Sequence, residues 1–310
     1  MSLPQRFPRA GLPERVTVYE VGARDGLQNE KTVVSTEVKA EFIARLAEAG
    51  AREIEATSFV HPKWVPQLAD AEALIALLPV RPGVRYPVLV PNPRGLERAI
   101  AAAVTDIAVF ASATEIFAKR NLNSTVEGAL SDIAAVTRQG LERGMRIRGY
   151  VSMCFGDPWE GAVAPEAVVA VVERLIALGC YQVSLGDTIG TATPGHVIAL
   201  LDLLAQRGIG PDRLAVHFHD TYGQALSNTL TALQAGITTV DASAGGLGGC
   251  PYAESATGNL ATEDLVWMLD GLGIETGMSL PGLVDTSLWM AGVLGRPTPS
   301  RAVQALTKGS

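Results

Sequence analysis

Residues 16–28 read VTVYEVGARDGLQ, a short β-branched run that stops at a polar turn. The run has the composition of a buried strand. A doubly wound dinucleotide-binding sheet would place G-x-G-x-x-G directly after such a strand, and Gly22-Ala23-Arg24-Asp25-Gly26 does not supply it. Comparable runs follow at 52–57, 86–90, 106–111, 146–152, 181–186, 214–219 and 238–243, which makes eight candidate strands. Helical patterns lie near 36–49, 66–78, 94–103, 125–143, 165–178, 194–207, 223–235 and 262–271, again eight. Their punctuation is consistent, with Ser35 or Thr36 as an N-cap, Pro165 and Pro194 in first turns, and Gly50, Gly179 and Gly236 just past helix ends. Eight strand–helix units without a nucleotide fingerprint predict an α/β fold, a (β/α)8 TIM barrel. One catalytic domain is expected over 1–310, with the barrel at about 15–275 and a short C-terminal helical extension over 276–310.

Composition agrees with one large globular domain. The 310 residues are 47% hydrophobic and 18% charged, a balance that favours a sizeable core over disorder. The net charge of −7 includes no block of like charges, so nucleic acid is not expected as a partner. The longest apolar stretch, 166–179, is interrupted by charges and is shorter than the roughly 20 residues a bilayer span needs, so no membrane association is expected. The first residues lack the apolar segment of a secretory signal. Cys154, Cys180 and Cys250 are odd in number and have no C-x-x-C spacing, which argues against a disulfide framework and for a cytoplasmic location.

Catalytic groups of such barrels sit at the C-terminal ends of the strands. Arg24, Asp25, Glu55, Asn92, Asp187, Thr188, His217, His219, Asp220, Cys250 and Asn259 all fall there in the predicted order. His217-Phe218-His219 is the sharpest clue, because residues i and i+2 of a strand face the same side and would bring both imidazoles into the barrel mouth. Two buried histidines bonded to backbone would share that spacing. However, the chain has only four histidines, and Asp25 is expected on the strand that closes the barrel beside them. Two imidazoles, a carboxylate and an amide oxygen would make a mixed, rather hard set, better suited to Mg2+ or Mn2+ than to a closed zinc site. Cys250, in the glycine-dense AGGLGGCPYA (244–253), reads either as part of a flexible connection or as an acid or base. Arg24 reads as a surface ion pair or as a stabiliser of a developing enolate oxygen. Lys31, Arg94 and Arg120 are candidate phosphate contacts, or solvated basic side chains. Cys180 reads as an apolar filler.

The stretches VGARDGLQNEK (21–31), IEATSFVHPKWVPQ (54–67), RGYVSM (148–153), VSLGDTIGTATPG (183–195), HFHDTYGQALSNTL (217–230) and GGLGGCPYAESATGNLATEDLVWML (245–269) resemble the 3-hydroxy-3-methylglutaryl-CoA lyases. These belong to the metal-dependent barrel lyases and Claisen-type condensing enzymes. The resemblance implies cleavage of 3-hydroxy-3-methylglutaryl-CoA to acetyl-CoA and acetoacetate, as in leucine breakdown, by a homodimer acting on an acyl-CoA substrate. It implies Asp25, His217, His219 and Asn259 as ligands of a divalent cation, Mg2+ or Mn2+, and Arg24 as the enolate stabiliser. Asp187 and His217 would assist proton transfer, and Cys250 would close over the substrate and exchange protons with it. Arg24, Lys31 and Arg94 would contact substrate, with Glu55 and Glu263 as supporting carboxylates. Three departures stand out: Ala23 where proline is common, Phe218 where cysteine often stands, and Glu254–Thr257 in a loop usually richer in glycine. The alternatives are a lyase for a longer 3-hydroxy-3-alkylglutaryl-CoA, a condensing synthase, against which GLGGCPYA argues, and a barrel serving only as a scaffold.

Overall fold

The second candidate strand shows how the sheet closes on itself. In the computed structural model, which describes residues 3–249 and 258–308, this strand is broken in two. β1 (Thr17–Glu20) pairs with β2 (Glu53–Ile54), whereas β3 (Thr57–Ser58) pairs on the other side with β4 (Val88–Leu89). Across the break, Glu55 N donates to Glu20 O on one side (2.9 Å) and Ala56 N to Pro87 O on the other (2.9 Å). The two halves are therefore one strand that joins β1 to β4. β5 (Asp106–Ser112), β6 (Arg146–Ser152), β7 (Gln182–Asp187), β8 (Leu214–Phe218) and β9 (Thr239–Ala242) complete the circuit in the order β2-β1-β9-β8-β7-β6-β5-β4-β3, every pairing parallel. The eight expected strands thus form a (β/α)8 barrel, with the interruption at Glu55-Ala56 as its one addition.

The helices are α1 (Thr36–Glu48), α2 (Ala71–Leu77), α3 (Pro93–Ala101), the single turn α4 (Glu115–Phe117), α5 (Val126–Glu142), α6 (Pro165–Ala177), α7 (Pro194–Gln206), α8 (Ala225–Gln234), α9 (Thr262–Gly271), α10 (Leu280–Leu294) and α11 (Arg301–Thr307). Ser35 Oγ accepts from Val38 N and opens α1, and prolines occupy the first turns of α3, α6 and α7. The pattern read as one helix over 66–78 is a 3-10 turn at Pro66–Leu68 followed by α2. Gly50 has φ +104°, and a Cβ there would lie 2.2 Å from Gly277 O, so the turn out of α1 tolerates no side chain.

Valines, leucines and isoleucines on the outer faces of β4 to β9 pack against the surrounding helices as one apolar layer. A second apolar cluster joins Phe42, Ile43 and Leu46 of α1 to Leu283 and Val284 of α10. The C-terminal extension thus contains two helices that pack on those of the barrel. α10 covers α1, and Asp264 of α9 accepts from Ser300 Oγ, Arg301 N and Ala302 N at the start of α11.

The interior of the barrel is polar beneath its mouth. Arg148 of β6, 1% exposed, reaches across to Asp241 of β9 with Nη1–Oδ2 at 3.0 Å and Nη2–Oδ1 at 2.6 Å, and lies 4.0 Å from the Tyr19 ring centre. Such a pair holds its charges only because the carboxylate and guanidinium satisfy each other.

Candidate metal centre

β8 carries the first ligand candidates. His217 is its fourth residue, and His219 leaves it to form an antiparallel bridge with Asn259. The alternation expected of a strand places both rings in the mouth, with Nε2 facing Nε2 at 3.3 Å. Phe218 between them turns into the core, its ring centre 6.1 Å from that of Phe155. Asp25 arrives from the other side on a wide turn, Gly22–Gly26, closed by Asp25 N and Gly26 N donating to Val21 O at 2.8 and 3.1 Å. The extra residue of this π-type turn presents Arg24 and Asp25 side by side. Asp25 Oδ2 is 3.9 Å from His217 Nε2, and ligand atoms of Asp25, His217 and His219 all lie within 4.8 Å of one another.

The donor set fits a cation. His219 Nδ1 and Asn259 Oδ1 are buried without a hydrogen-bond partner among the described residues. Asn259 Nδ2 donates to Asp25 Oδ2 (2.8 Å) and Leu247 O (3.0 Å), which holds this carboxamide against the other candidate ligands. Burial opposes ionisation of Asp25, but the Arg24 guanidinium, His217 and His219 outweigh it and hold the carboxyl well below its usual range. Burial and the neighbouring His217 pull His219 down to about 4, which leaves it neutral, with a free lone pair, at physiological pH.

Arg24 is not a surface ion pair. Its Nε donates to Glu55 Oε2 (2.6 Å) and its Nη1 to Asp25 Oδ1 (2.6 Å), its side chain is 8% exposed, and its guanidinium lies 5.6 Å from the Tyr150 ring centre. Tyr150 OH donates to the same Glu55 oxygen at 3.3 Å. Arg24, Asp25, Tyr150, His217 and His219 line a cavity with about 130 Å3 of free space, bounded further by Gln28, Leu89, Phe110, Phe117 and Asn121. A second cavity of about 350 Å3 shares Gln28, Leu89, Phe110 and Asn121 with it and leads outward past Ser58, Trp64 and Ser124. The HMGL-like family model matches residues 15–289.

The chain belongs to the HMGL-like family.

It is 49% identical over 297 residues to the mitochondrial hydroxymethylglutaryl-CoA lyase of Macaca fascicularis, a span of 96% of this chain and 91% of that protein. Among solved structures, the hydroxymethylglutaryl-CoA lyase of Pseudomonas aeruginosa is 45% identical with a TM-score of 0.94, covering 97% of this chain and all of that one. The HMG-CoA lyase of Acinetobacter baumannii, solved with coenzyme A and 3-methylmalate, is 35% identical with a TM-score of 0.90 over 96% of this chain and 97% of that one.

Other expected site residues of this HMGL-like barrel are distributed unevenly. Asp187 reaches the rim, where its oxygens accept from Thr191 N (2.9 Å) and Ala192 N (3.1 Å); burial lifts it to about 6, and the cavity wall beside it is Gly186 and Thr188. Asn92 caps α3 and borders the outer cavity. Lys31 and Arg94 are exposed and line neither of the two cavities; Arg94 borders a separate depression with His61 and Arg98. Arg120 lies over Trp159, 4.6 Å from its ring centre. Cys180 is a core filler as expected, and Cys154 is buried too. Cys250 and Glu254–Thr257 lie outside the described residues. Sequence reasoning passed over Tyr150, Gln28 and Asn29. The i, i+2 spacing of Arg148 and Tyr150 on β6 was the available signal for the first. Asn29 Nδ2 donates to Gly249 O at 3.0 Å and so ties the first rim loop to the glycine segment.

Glu263 supports that segment from below. It accepts from Gly245 N (3.0 Å) and from Ser287 Oγ, while Glu20 accepts from Ala244 N (2.9 Å), Gly22 N (2.8 Å) and Thr262 Oγ1 (2.6 Å). Burial pushes Glu20 up to about 7 and Glu263 up to about 8. The folded chain therefore keeps protons that the unfolded chain releases near 4.5, and stability falls as pH rises from there toward about 8. Glu263→Gln, which stays neutral throughout, is expected to show a shallower decline of melting temperature between about pH 5 and about pH 8.5. Equal slopes in calorimetry would clear this carboxyl of the effect.

Proposed function

We propose that this chain is a divalent-metal-dependent carbon–carbon lyase that cleaves (S)-3-hydroxy-3-methylglutaryl-CoA to acetyl-CoA and acetoacetate. The observation that carries the reading is the fixed positive charge of Arg24 beside Asp25, His217 and His219 at the inner end of one cavity. Asp25, His217, His219 and Asn259 would hold the cation, Mg2+ or Mn2+, which would supply Lewis acidity to the substrate's tertiary hydroxyl and carbonyl oxygens.

The residues of the chain account for the remaining steps. The hydroxyl proton on C3 leaves, the C2–C3 bond breaks, and its electron pair passes to the thioester as an enolate while C3 becomes the ketone of acetoacetate. Arg24, buried and held on two sides, offers a preorganised cation to that enolate oxygen and needs no rearrangement as charge develops. Asp187 would serve proton transfer to and from the reacting groups, whereas His217, with Nε2 given to the cation and Nδ1 beside Asp241, would act on the protons only through the metal. Cys250, which lies outside the described residues, would return a proton to C2. Leu89, Phe110 and Phe117 give the acyl end an apolar wall, and the outer cavity offers the pantetheine arm a path to solvent. Lys31 and Arg94 are left to the distal phosphates. A homodimer in the cytoplasm completes the reading; among the described residues no helix is long and apolar enough to cross a membrane.

The test is a coupled assay on hydroxymethylglutaryl-CoA beside an analogue with a longer C3 alkyl group. Equimolar acetyl-CoA and acetoacetate are expected, with slower release from the analogue. Release from the longer substrate alone would favour the 3-alkyl variant of the activity, and release from neither would sink the reading.

A further inference from the structure

The two histidines of the metal centre are unequally supported, and the difference points beyond the ligands. His217 Nδ1 lies 3.3 Å from Asp241 Oδ2, whereas His219 Nδ1 is buried without a partner among the described residues. Asp241 is a fully buried carboxylate in the middle of β9, directly opposite His217 in the strand register. Its oxygens accept from Arg148 Nη2 (2.6 Å), Arg148 Nη1 (3.0 Å) and Ser184 Oγ (2.9 Å). These side chains come from β6 and β7, so four neighbouring strands build one layer just beneath the mouth.

We propose that Asp241 is a positioning residue for the metal centre: held as an anion by Arg148 and Ser184, it fixes the hydrogen of His217 on Nδ1 and turns the Nε2 lone pair toward the cation. The inference rests on the reading of His217 as a ligand. An ionised carboxylate can only accept, and the guanidinium can only donate, so the bond between Asp241 and His217 has one possible direction. The hydrogen then sits on Nδ1, and Nε2 is left bare opposite His219 Nε2 and Asp25. Without that bond a neutral imidazole divides between two tautomers and can rotate, and both lower its effectiveness as a ligand. Among the described residues His219 has no such guide, so Asp241 orients one ring of the pair, His217.

The purely structural alternative, a buried ion pair that only fills the barrel, makes a different prediction for metal uptake, which separates the two. Mn2+ affinity is measured by calorimetric titration of metal-free, full-length protein without substrate, together with melting temperature. Asp241→Asn is expected to weaken Mn2+ binding by about 10–100-fold. Ser184→Ala removes a bond to the same carboxylate without touching His217, and is expected to bind Mn2+ within about threefold of the native protein. Should Asp241→Asn fail to fold because Arg148 is left unpaired, Asp241→Asn combined with Arg148→Met removes both charges and carries the same expectation. Native affinity in either Asp241 variant, or an equal loss in Ser184→Ala, would overturn the proposal. Failure of the native protein itself to bind Mn2+ would instead refute the metal reading beneath it.

Discussion

Chelator-stripped protein is expected to release acetyl-CoA from hydroxymethylglutaryl-CoA at least about a thousandfold more slowly than the metal-replete form, with Mn2+ restoring the native chain but not His219→Ala. The size follows from the work assigned to the cation, several kcal/mol of charge stabilisation at about 1.4 kcal/mol for each factor of ten. The failure of rescue follows from geometry. His219 Nε2 is 3.3 Å from His217 Nε2, and Asp25 completes the cluster, so an alanine leaves one imidazole, one carboxylate and the Asn259 amide, and among the described residues no other histidine, cysteine or acid joins that cluster with a ligand atom within 4.8 Å of the rest. The variant should fold, because His219 stands just past the end of β8 with its Nδ1 making no hydrogen bond among the described residues. Steady-state assays of stripped and reconstituted protein at several Mn2+ concentrations decide the matter. Turnover that survives stripping would remove the metal from the chemistry, and full rescue of the alanine variant would remove His219 from the metal.

Much of this site is legible in the sequence because it follows from short-range rules. Period-two alternation puts His217 and His219 on one face, and the strand order of a closed barrel brings Asp25 from the first strand against the last two. Long-range polar pairing leaves no such trace. Asp241 is a single carboxylate in VDAS and Arg148 one of two arginines in RIRGYVS, and neither spacing nor periodicity says that they meet across the barrel. The glycine-rich segment is legible only as unusual composition, and the structure supplies the physical reason at its base. A Cβ on Gly258 would stand 2.0 Å from Gly248 O, and one on Gly248, at φ +111°, would stand 2.6 Å from Asn259 Nδ2. The two ends of the segment cross backbone against backbone there, and Asn259 reaches Asp25 only because they do. The break at Glu55-Ala56 was equally out of reach, since a strand that changes partners halfway has the same alternation as one that does not.

Arg24→Met is expected to lower kcat by about 10²–10³-fold while KM changes far less, the signature of a group that acts on charge present only in the transition state. The native guanidinium is held by Glu55 and Asp25 at 2.6 Å each and faces the cavity beside Tyr150, so it is already oriented before substrate enters. Methionine keeps most of the apolar stem but leaves Glu55 without its cation. Burial already raises the Glu55 carboxyl despite Arg24, so protonation there gives the variant a way to fold without an orphaned charge. Arg24→Lys restores a positive charge but not the planar fork that satisfies two carboxylates at once, and should recover only part of the loss. An independent readout is exchange of the acetyl-CoA methyl hydrogens with deuterated solvent, which requires the thioester enolate but no carbon–carbon cleavage. If Arg24 stabilises that enolate, exchange falls in parallel with turnover in the methionine variant. Exchange at the native rate beside slow cleavage would place its effect on the hydroxyl side of the reaction, and an unchanged kcat would show that the Arg24–Glu55 pair serves the fold alone.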